Sequence, residues 1–177
     1  MCIRDRYKGT GLLIEALVGL PPACRLRFVG SGPDEAELRR LAAERGVAER
    51  VEFLPAVTTR DVPQALAEMD VLAAPSLTQP NWIEQFGRVL IEGMACGVPV
   101  IGSDSGEIPN VIGDAGVIAD EGNAEALRQA FLTLYERPDL RAECSRRGMT
   151  RVRDNFTQEQ VARRIAAVYQ QAMQAKR

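Results

Sequence analysis

The sequence predicts an α/β fold in which a doubly wound parallel sheet is covered by helices on both faces. Short, mostly apolar segments of three to five residues alternate with longer amphipathic segments along most of the 177 residues. Most of these short segments are bounded by Gly or Pro, and the connections between the two kinds of segment are short. Strand–helix alternation of this kind is typical of parallel, Rossmann-like sheets. The length corresponds to one domain, with or without a helical tail.

The first half of the chain is predicted to alternate helices and strands. The helix that starts at Asp34 has Glu37 at the capping-box position and ends at Gly46. The predicted helices cover residues 9–20, 34–46 and 61–69, and the predicted strands cover residues 25–29, 51–54 and 71–74.

The second half begins with a polar loop and ends with helices. Thr157 is the predicted cap of the last helix, with Gln160 at the capping-box position. The predicted elements are a loop over 76–85, a helix over 86–96, a strand over 99–101, a short helix over 107–112, a strand over 116–118, and closing helices over 123–137, 139–147 and 157–175.

The composition excludes several kinds of site. The net charge is −2, so no overall basic field favours nucleic acid. The chain has no histidine, which excludes Ser-His-Asp and Cys-His catalysis and H-E-x-x-H zinc sites. It also has no D-x-D pair to hold a diphosphate-bound divalent ion. We therefore expect no metal, and any phosphate chemistry must use backbone amides, helix dipoles and Lys or Arg side chains.

The cysteines and the hydropathy pattern indicate the compartment. Cys2, Cys24, Cys96 and Cys144 are far apart in sequence and form no C-x-x-C pair. Free thiols in a reducing cytoplasm are therefore expected. No apolar run reaches 18 residues, and Glu92 interrupts the longest candidate for a membrane-spanning segment.

Two glutamates flank the predicted start of the helix at Phe86. Glu84 lies in the loop before this start, and Glu92, eight residues later, lies one to two turns along the helix. The first N–H groups of a helix lack partners within it and form its positive end, so they attract an anion. A diphosphate there would have Glu84 near sugar hydroxyls and Glu92 near ribose hydroxyls. From spacing alone, the alternative of two surface carboxylates on an amphipathic helix is favoured.

Several motifs, taken in order, change that balance because they resemble a known family. The chain carries Lys8-Gly9, Gly30-Ser31-Gly32-Pro33, a strand ending at Pro55, Asp70-Val71 with Pro75-Ser76, the Glu84–Glu92 segment, Ala95–Val100, and a turn over Ser105–Val111. This set is similar to the C-terminal, nucleotide-sugar-binding domain of the glycosyl transferases group 1 (glycosyltransferase family 4), which are two-domain GT-B enzymes. The resemblance covers about residues 8–173.

The resemblance implies a retaining glycosyltransferase with two catalytic residues in this half. Glu84 would hold hydroxyls of the donor sugar. Lys8 would neutralise the β-phosphate as the bond to the leaving group breaks, without a metal. The family transfers the sugar on its original face, and the donor phosphate assists removal of the acceptor proton.

The resemblance also implies which groups bind the rest of the donor. Backbone amides of Phe86 and Gly87 would face the sugar, those of Arg88 and Val89 would hold phosphate, Glu92 would bind the ribose, and the backbone around Gly30, Leu54 and Pro55 would line the base. The expected partners are a nucleotide sugar and an acceptor glycan or lipid-linked sugar, the latter bound by an N-terminal domain. The implied location is the cytoplasm or the inner membrane surface, and no cofactor is expected.

The first seven residues depart from the family pattern. The family has Gly-Arg at the end of its first strand, and neither Arg4 nor Arg6 has the usual spacing before Lys8. The first strand lies in the middle of such a sheet, and we expect it to be missing or replaced. The predicted division is a non-family or truncated N-terminus over 1–7, a donor-binding domain over 8–155, and a helix over 156–177 that packs back on the absent N-terminal domain.

Other interpretations stay open at this point. One is a non-catalytic nucleotide-binding fragment that is inactive without an N-terminal acceptor domain. Another is a non-hydrolysing sugar-nucleotide epimerase, which would need catalytic carboxylates and a histidine arrangement that this chain does not show. NAD binding is disfavoured because Gly30-x-Gly32 is followed by Glu35 where the dinucleotide fingerprint has a third glycine.

Two further features have alternative interpretations. Trp82 either gates or stacks on a sugar, or anchors its loop against the core. A basic cluster near the C-terminus is by default a solvated helix face, and its alternative is contact with an anionic membrane surface. The cluster comprises Arg141, Arg146, Arg147, Arg151 and Arg153.

Overall fold

Five parallel strands form the centre of the fold within residues 6–174, which are the residues that the computed structural model describes. The α/β class is confirmed, and each predicted strand is present with its ends moved by one or two residues at most. The strands are β1 Leu26–Val29, β2 Val51–Leu54, β3 Leu72–Ala74, β4 Val100–Ser103 and β5 Gly116–Ala119.

The strands form two sheets that are both parallel. One has the order β1-β2, with Leu26 paired to Val51 and Val29 paired to Leu54, and the other has the order β3-β4-β5. In a doubly wound sheet the first strand would lie between these two groups. Our expectations for residues 1–5, which include Arg4 and the replaced first strand, lie outside the described residues.

Helices connect the strands and follow the last one. They are α1 Thr10–Val18, α2 Glu35–Glu44, α3 Val62–Ala67, α4 Arg88–Ala95, α5 Ile108–Ile112, α6 Ala124–Glu136, α7 Pro138–Asn155 and α8 Gln158–Gln174. Short 3-10 turns cover Arg6–Lys8 and Ala48–Arg50. No helix among the described residues is long and apolar enough to cross a membrane.

Two details differ from the sequence predictions. Helix α4 begins two residues after Phe86, because Gly87 adopts a left-handed conformation with φ of 63° at the N-cap. Helix α7 continues past residue 147 to Asn155. Gly148 does not end it, because the missing side chain lets α7 pack on α4, where a Cβ would lie 3.0 Å from Met94 Cγ.

The two predicted helix caps have opposite outcomes. The capping box at Asp34 is wrong: Asp34 holds the N-cap position, but its side chain makes no capping hydrogen bond. The cap at Thr157 is confirmed, since its hydroxyl accepts a hydrogen bond from the amide of Gln160 at 3.3 Å.

Side chains on β4 show that helices cover both faces of the sheet. Val100 packs with Leu90 and Met94 of α4 in one apolar cluster, whereas its neighbour Ile101 packs with Ile14 of α1 in another. All five side chains are fully buried. Successive strand residues point to opposite faces, so this division requires a helical layer on each side. Burial of each large side chain stabilises the fold by about 1.5–3 kcal/mol.

Candidate functional site

The candidate site lies where the strands end. β1 is followed by Gly30, β2 by Pro55 and β3 by Pro75-Ser76. Strands are parallel within each sheet, so Gly30 and Pro55 lie at the carboxyl edge of one sheet and Pro75-Ser76 at the carboxyl edge of the other, the kind of edge where doubly wound proteins bind ligands. The amide of Gly30 donates to the carbonyl of Leu54 at 3.1 Å. The three predicted base-binding positions, Gly30, Leu54 and Pro55, are therefore neighbours.

Lys8 and Glu84 form an ion pair at this edge. Lys8 Nζ donates to Glu84 Oε2 at 2.7 Å, although the residues are 76 positions apart. Their side chains are 23% and 15% exposed, so solvent screens the pair only in part. The two predicted catalytic residues are therefore in direct contact.

A glycine brings Lys8 to this position. Gly9 follows Lys8 with φ of 65°, and a Cβ on it would lie 1.8 Å from the carbonyl oxygen of Pro75. Only glycine permits this approach of the α1 start to the end of β3. The Lys-Gly pair thus has a structural reason as well as a chemical one.

Glu84 has further partners that hold its carboxylate. Ser76 Oγ donates to Oε2 at 3.2 Å, and the amide of Gly87 donates to Oε1 at 3.2 Å. Burial alone raises the pKa of Glu84, but the hydrogen bond and charge of Lys8, with the Gly87 amide and the Ser76 hydroxyl, hold this pKa below its ordinary value. The carboxylate is therefore ionised at neutral pH.

The start of α4 lies next to this carboxylate. Arg88 and Val89 are its first residues, and the amides at a helix start have no partner within the helix. Gly87, before them, is buried and already donates to Glu84. The ring of Phe86 is 48% exposed and packs edge-on against Phe156, with the ring centroids 6.0 Å apart. The predicted phosphate-binding amides therefore begin a helix whose apolar face is buried, beside an ionised carboxylate.

Glu92 lies one turn along α4 from Arg88. The side chain of Glu92 is 39% exposed, and its Oε1 lies 3.4 Å from Arg88 Nε. An exposed pair at this spacing contributes only about 0.3–0.5 kcal/mol. It would therefore compete weakly with a ligand for the carboxylate.

The sequence did not predict the contacts that four residues make with Lys8 or Glu84 or with each other: Tyr7, Trp82, Ser76 and Gly106. Tyr7 and Trp82 pack together with ring centroids 4.5 Å apart, and Lys8 Nζ lies 4.6 Å from the centroid of Trp82. Ser76 bonds Glu84, and a Cβ on Gly106 would lie 2.1 Å from the carbonyl oxygen of Glu84. The Pro-Ser pair and the Gly-containing turn were visible in the sequence, but nothing there joins them to Glu84.

The five C-terminal arginines all have protein partners, as on a solvated helix face. Arg146 and Arg147 both pair with Glu143, and the other three bond backbone carbonyls or a neighbouring carboxylate. These latter contacts are Arg141 to Leu134, Arg151 to Asn110 and Val111, and Arg153 to Asp154.

Known proteins resemble this chain in sequence. Residues 4–151 match the family Glycosyl transferases group 1. The GDP-mannose-dependent monoacylated alpha-(1-6)-phosphatidylinositol monomannoside mannosyltransferase of Corynebacterium glutamicum is 32% identical over 169 residues, covering 92% of this chain and 44% of that protein. The lipopolysaccharide core biosynthesis mannosyltransferase LpsB of Rhizobium meliloti is 33% identical over 180 residues, covering 94% and 49%. The chain thus spans less than half the length of these relatives.

Solved structures resemble it in fold. Anabaena Alr3699/HepE in complex with UDP has a TM-score of 0.86 at 26% identity, over 95% of this chain and 46% of that one. Sucrose-phosphate synthase from Thermosynechococcus elongatus has a TM-score of 0.81 at 30% identity, over 97% and 44%. The fold is the Rossmann-like C-terminal half of the GT-B architecture, and the chain belongs to the glycosyl transferases group 1.

Proposed function

We propose that this chain binds the nucleoside-diphosphate sugar of a retaining glycosyltransferase that moves a hexose-type sugar to a glycan or a lipid-linked acceptor. The observation that carries the proposal is the contact between Lys8 and Glu84 beside the start of α4. A cation and a neighbouring carboxylate can contact, respectively, the phosphate and the sugar of one sugar–phosphate bond. Lys8 would face the β-phosphate, and Glu84 would face the sugar hydroxyls.

The helix start would hold the diphosphate. The amides of Arg88 and Val89 donate to phosphate oxygens, and the helix dipole adds to their attraction for an anion. The amides of Phe86 and Gly87 face the sugar. When the sugar arrives, Glu84 exchanges partners such as the Gly87 amide for hydroxyl groups.

The ribose and the base of the nucleoside would each bind a separate group of residues. Glu92, one turn along α4, accepts hydrogen bonds from the ribose hydroxyls. The backbone at Gly30, Leu54 and Pro55 lines the base, which is supported by the hydrogen bond between the first two. Among similar proteins, the Corynebacterium glutamicum enzyme is GDP-mannose-dependent and the Anabaena protein is solved with UDP. GDP and UDP are therefore the nucleotides to test.

The chemistry follows from the charges. The bond between the sugar C1 and the β-phosphate oxygen breaks, and its electron pair leaves with the nucleoside diphosphate. Lys8 and the helix amides stabilise that departing charge, a role that needs no metal ion. The acceptor oxygen bonds to C1 on the same face, and its proton passes to an oxygen of the donor phosphate.

The acceptor would bind to a second half of a longer protein. The similar enzymes are about twice as long as this chain, and their names refer to phosphatidylinositol monomannoside and to lipopolysaccharide core biosynthesis. We propose that the segment 156–177 packs on that half. The exposed apolar side chains of α8 support this: Val161, Ile165, Val168, Tyr169 and Met173. The unpaired thiols of Cys24, Cys96 and Cys144 support a cytoplasmic location, which includes the inner membrane surface.

Calorimetric titration with GDP and UDP tests the donor site. Glu92→Ala is expected to weaken the binding of the preferred nucleotide about tenfold, since it removes a charged hydrogen-bond acceptor. Glu136→Ala, an exposed glutamate on α6, is the matched control and leaves affinity unchanged. Equal affinity for the native chain and the Glu92 variant would count against the site.

The alternative of a nucleotide-binding fragment that is inactive by itself has a separate test. Less than half of each similar enzyme is represented here, which favours a requirement for an acceptor domain. Sugar transfer by the 177 residues alone would rule this alternative out. Transfer only after an acceptor half is supplied would support it.

A further inference from the structure

Trp82 lies on a two-residue hairpin in the loop before Glu84. The amide of Gln79 donates to the carbonyl of Trp82 at 2.7 Å, and the amide of Trp82 donates back to Gln79 at 3.2 Å. These bonds close the backbone around Pro80 and Asn81. The position of the tryptophan is therefore set by main-chain bonds.

The base of the hairpin is attached to neighbouring loops. The amide and hydroxyl of Thr78 both donate to the carboxylate of Glu121, at 2.5 and 2.8 Å. The Thr78 hydroxyl also lies 2.9 Å from the hydroxyl of the buried Ser105. This attachment fixes the ring of Trp82 against Tyr7 and Lys8.

The ring of Trp82 contacts both residues before Gly9. Its centroid lies 4.5 Å from that of Tyr7, and Lys8 Nζ lies 4.6 Å from the same centroid. The backbone of Tyr7 is fixed as well, since its carbonyl accepts from the amide of Leu77 at 2.7 Å. A cation within 6 Å of an indole face is attracted by the ring quadrupole.

Lys8 thus has two contacts of different kinds, and a donor would affect them differently. Glu84 and a phosphate compete for the same ammonium protons. An aromatic face is not displaced by an anion in this way, so it can hold the ammonium while its hydrogen-bond partner changes. We propose that Trp82 is a positioning residue that keeps Lys8 at the β-phosphate of the donor, an inference that rests on the proposed function.

The test compares diphosphate with monophosphate binding, because only the former reaches Lys8. Affinities of GDP and GMP (or of UDP and UMP, if the chain prefers uridine nucleotides) are measured on the native chain and on Trp82→Leu, Trp82→Phe and Lys8→Met. Trp82→Leu is expected to lower the diphosphate preference about 2- to 5-fold with monophosphate affinity unchanged. Trp82→Phe is expected to keep most of the diphosphate preference. Asn81→Ala, on the same hairpin, is expected to leave that preference unchanged.

A double variant shows whether Trp82 acts through Lys8. In the Lys8→Met background, Trp82→Leu is expected to cause no further loss of diphosphate preference. Equal loss of GDP and GMP affinity in Trp82→Leu would make the residue a loop anchor and overturn the inference, as would a further loss in the double variant. Thermal unfolding of each variant shows whether it folds. If Trp82→Leu does not fold, Trp82→Phe decides the outcome: a retained diphosphate preference supports the positioning role, and a lost preference overturns it.

Failure of the proposed function has a different signature. If the native chain shows no preference for the diphosphate and Lys8→Met changes nothing, the role of Lys8 is wrong and the role of Trp82 fails with it. If Lys8→Met removes the preference while Trp82→Leu retains it, the donor site stands and only the positioning role is rejected.

Discussion

Gly106 packs directly against the peptide of Glu84, so that a Cβ on Gly106 would lie 2.1 Å from the Glu84 carbonyl oxygen. The next amide, that of Glu107, donates to the same oxygen at 3.0 Å. The turn after β4 therefore fixes the backbone of the residue whose carboxylate contacts Lys8. Gly106 also has φ of 56°, which residues with a Cβ rarely adopt.

We predict that Gly106→Ala displaces Glu84 and weakens nucleoside-diphosphate binding. Gly46→Ala is the control, because Gly46 has a similar φ of 69° and no atom within 4 Å of its Cβ position. The control measures the loss of stability that results when alanine must adopt a left-handed backbone conformation, about 1–2 kcal/mol. In urea unfolding, Gly106→Ala is expected to lower the free energy of unfolding by about 1–3 kcal/mol more than Gly46→Ala does. Equal effects of the two substitutions would mean that the contact with Glu84 is unimportant.

Glu84 gives a prediction about pH. Its pKa is held below the ordinary value despite burial, so its stabilising contribution is present above the unfolded-state pKa of about 4.3. That contribution is lost as the pH falls through the lower, folded-state pKa. Glu84→Gln should therefore lower the free energy of unfolding by about 1–3 kcal/mol at pH 7.

The difference in the free energy of unfolding between the native chain and Glu84→Gln should shrink as the pH falls below about 4.3. Urea unfolding at several pH values measures it. Glu136→Gln, an exposed substitution on α6, is expected to stay within about 0.5 kcal/mol of the native chain at neutral pH. A difference for Glu84→Gln that grows on acidification would contradict the lowered pKa.

The cysteines are predicted to react slowly with thiol reagents in the folded chain. Burial raises the pKa of the thiols of Cys24, Cys96 and Cys144, so the reactive thiolate is scarce near pH 7. A Cys2→Ser variant leaves only these three thiols to be followed. Their reaction with a disulfide reagent should accelerate strongly in urea. Equally fast reaction without urea would contradict the raised pKa of these partly or fully buried thiols.

Helix α8 is predicted to contribute little to the stability of the rest of the chain. None of its residues from Gln158 to Gln174 is buried. Removal of residues 158–177 should therefore lower the free energy of unfolding by less than about 1 kcal/mol. Leu134→Ala, at a fully buried position on α6, is the contrasting control and should cost about 2–5 kcal/mol. Unfolding of the truncated chain at 25 °C would show that α8 is part of this core.

Local sequence patterns predicted the fold well but not the contacts within the site. β2 has the predicted bounds because Val51–Leu54 is a short, mostly apolar segment stopped by proline. The end of α7 was wrong, since the packing of Gly148 on Met94 joins distant segments. The predicted capping box at Asp34 was wrong because the Asp34 side chain makes no capping hydrogen bond, and the sequence alone does not determine whether that bond forms.

The candidate site was predicted in its parts and not in its geometry. Ordered motifs identified Lys8 and Glu84, yet only the parallel sheet, with Gly9 against Pro75, explains why they meet. The contact of Trp82 with Lys8 depends on a hairpin that the polar composition of the loop does not reveal. Roles toward sugar, phosphate, ribose and base stay predictions.

The most direct test follows backbone amide resonances of the isotope-labelled chain while GDP or UDP is added. The largest shift changes are expected at the amides of Arg88 and Val89, with smaller changes at Gly30 and near Glu92. If the largest changes occur among the arginines of α7 while Arg88 and Val89 do not shift, the nucleotide binds elsewhere and the donor site at the start of α4 is wrong.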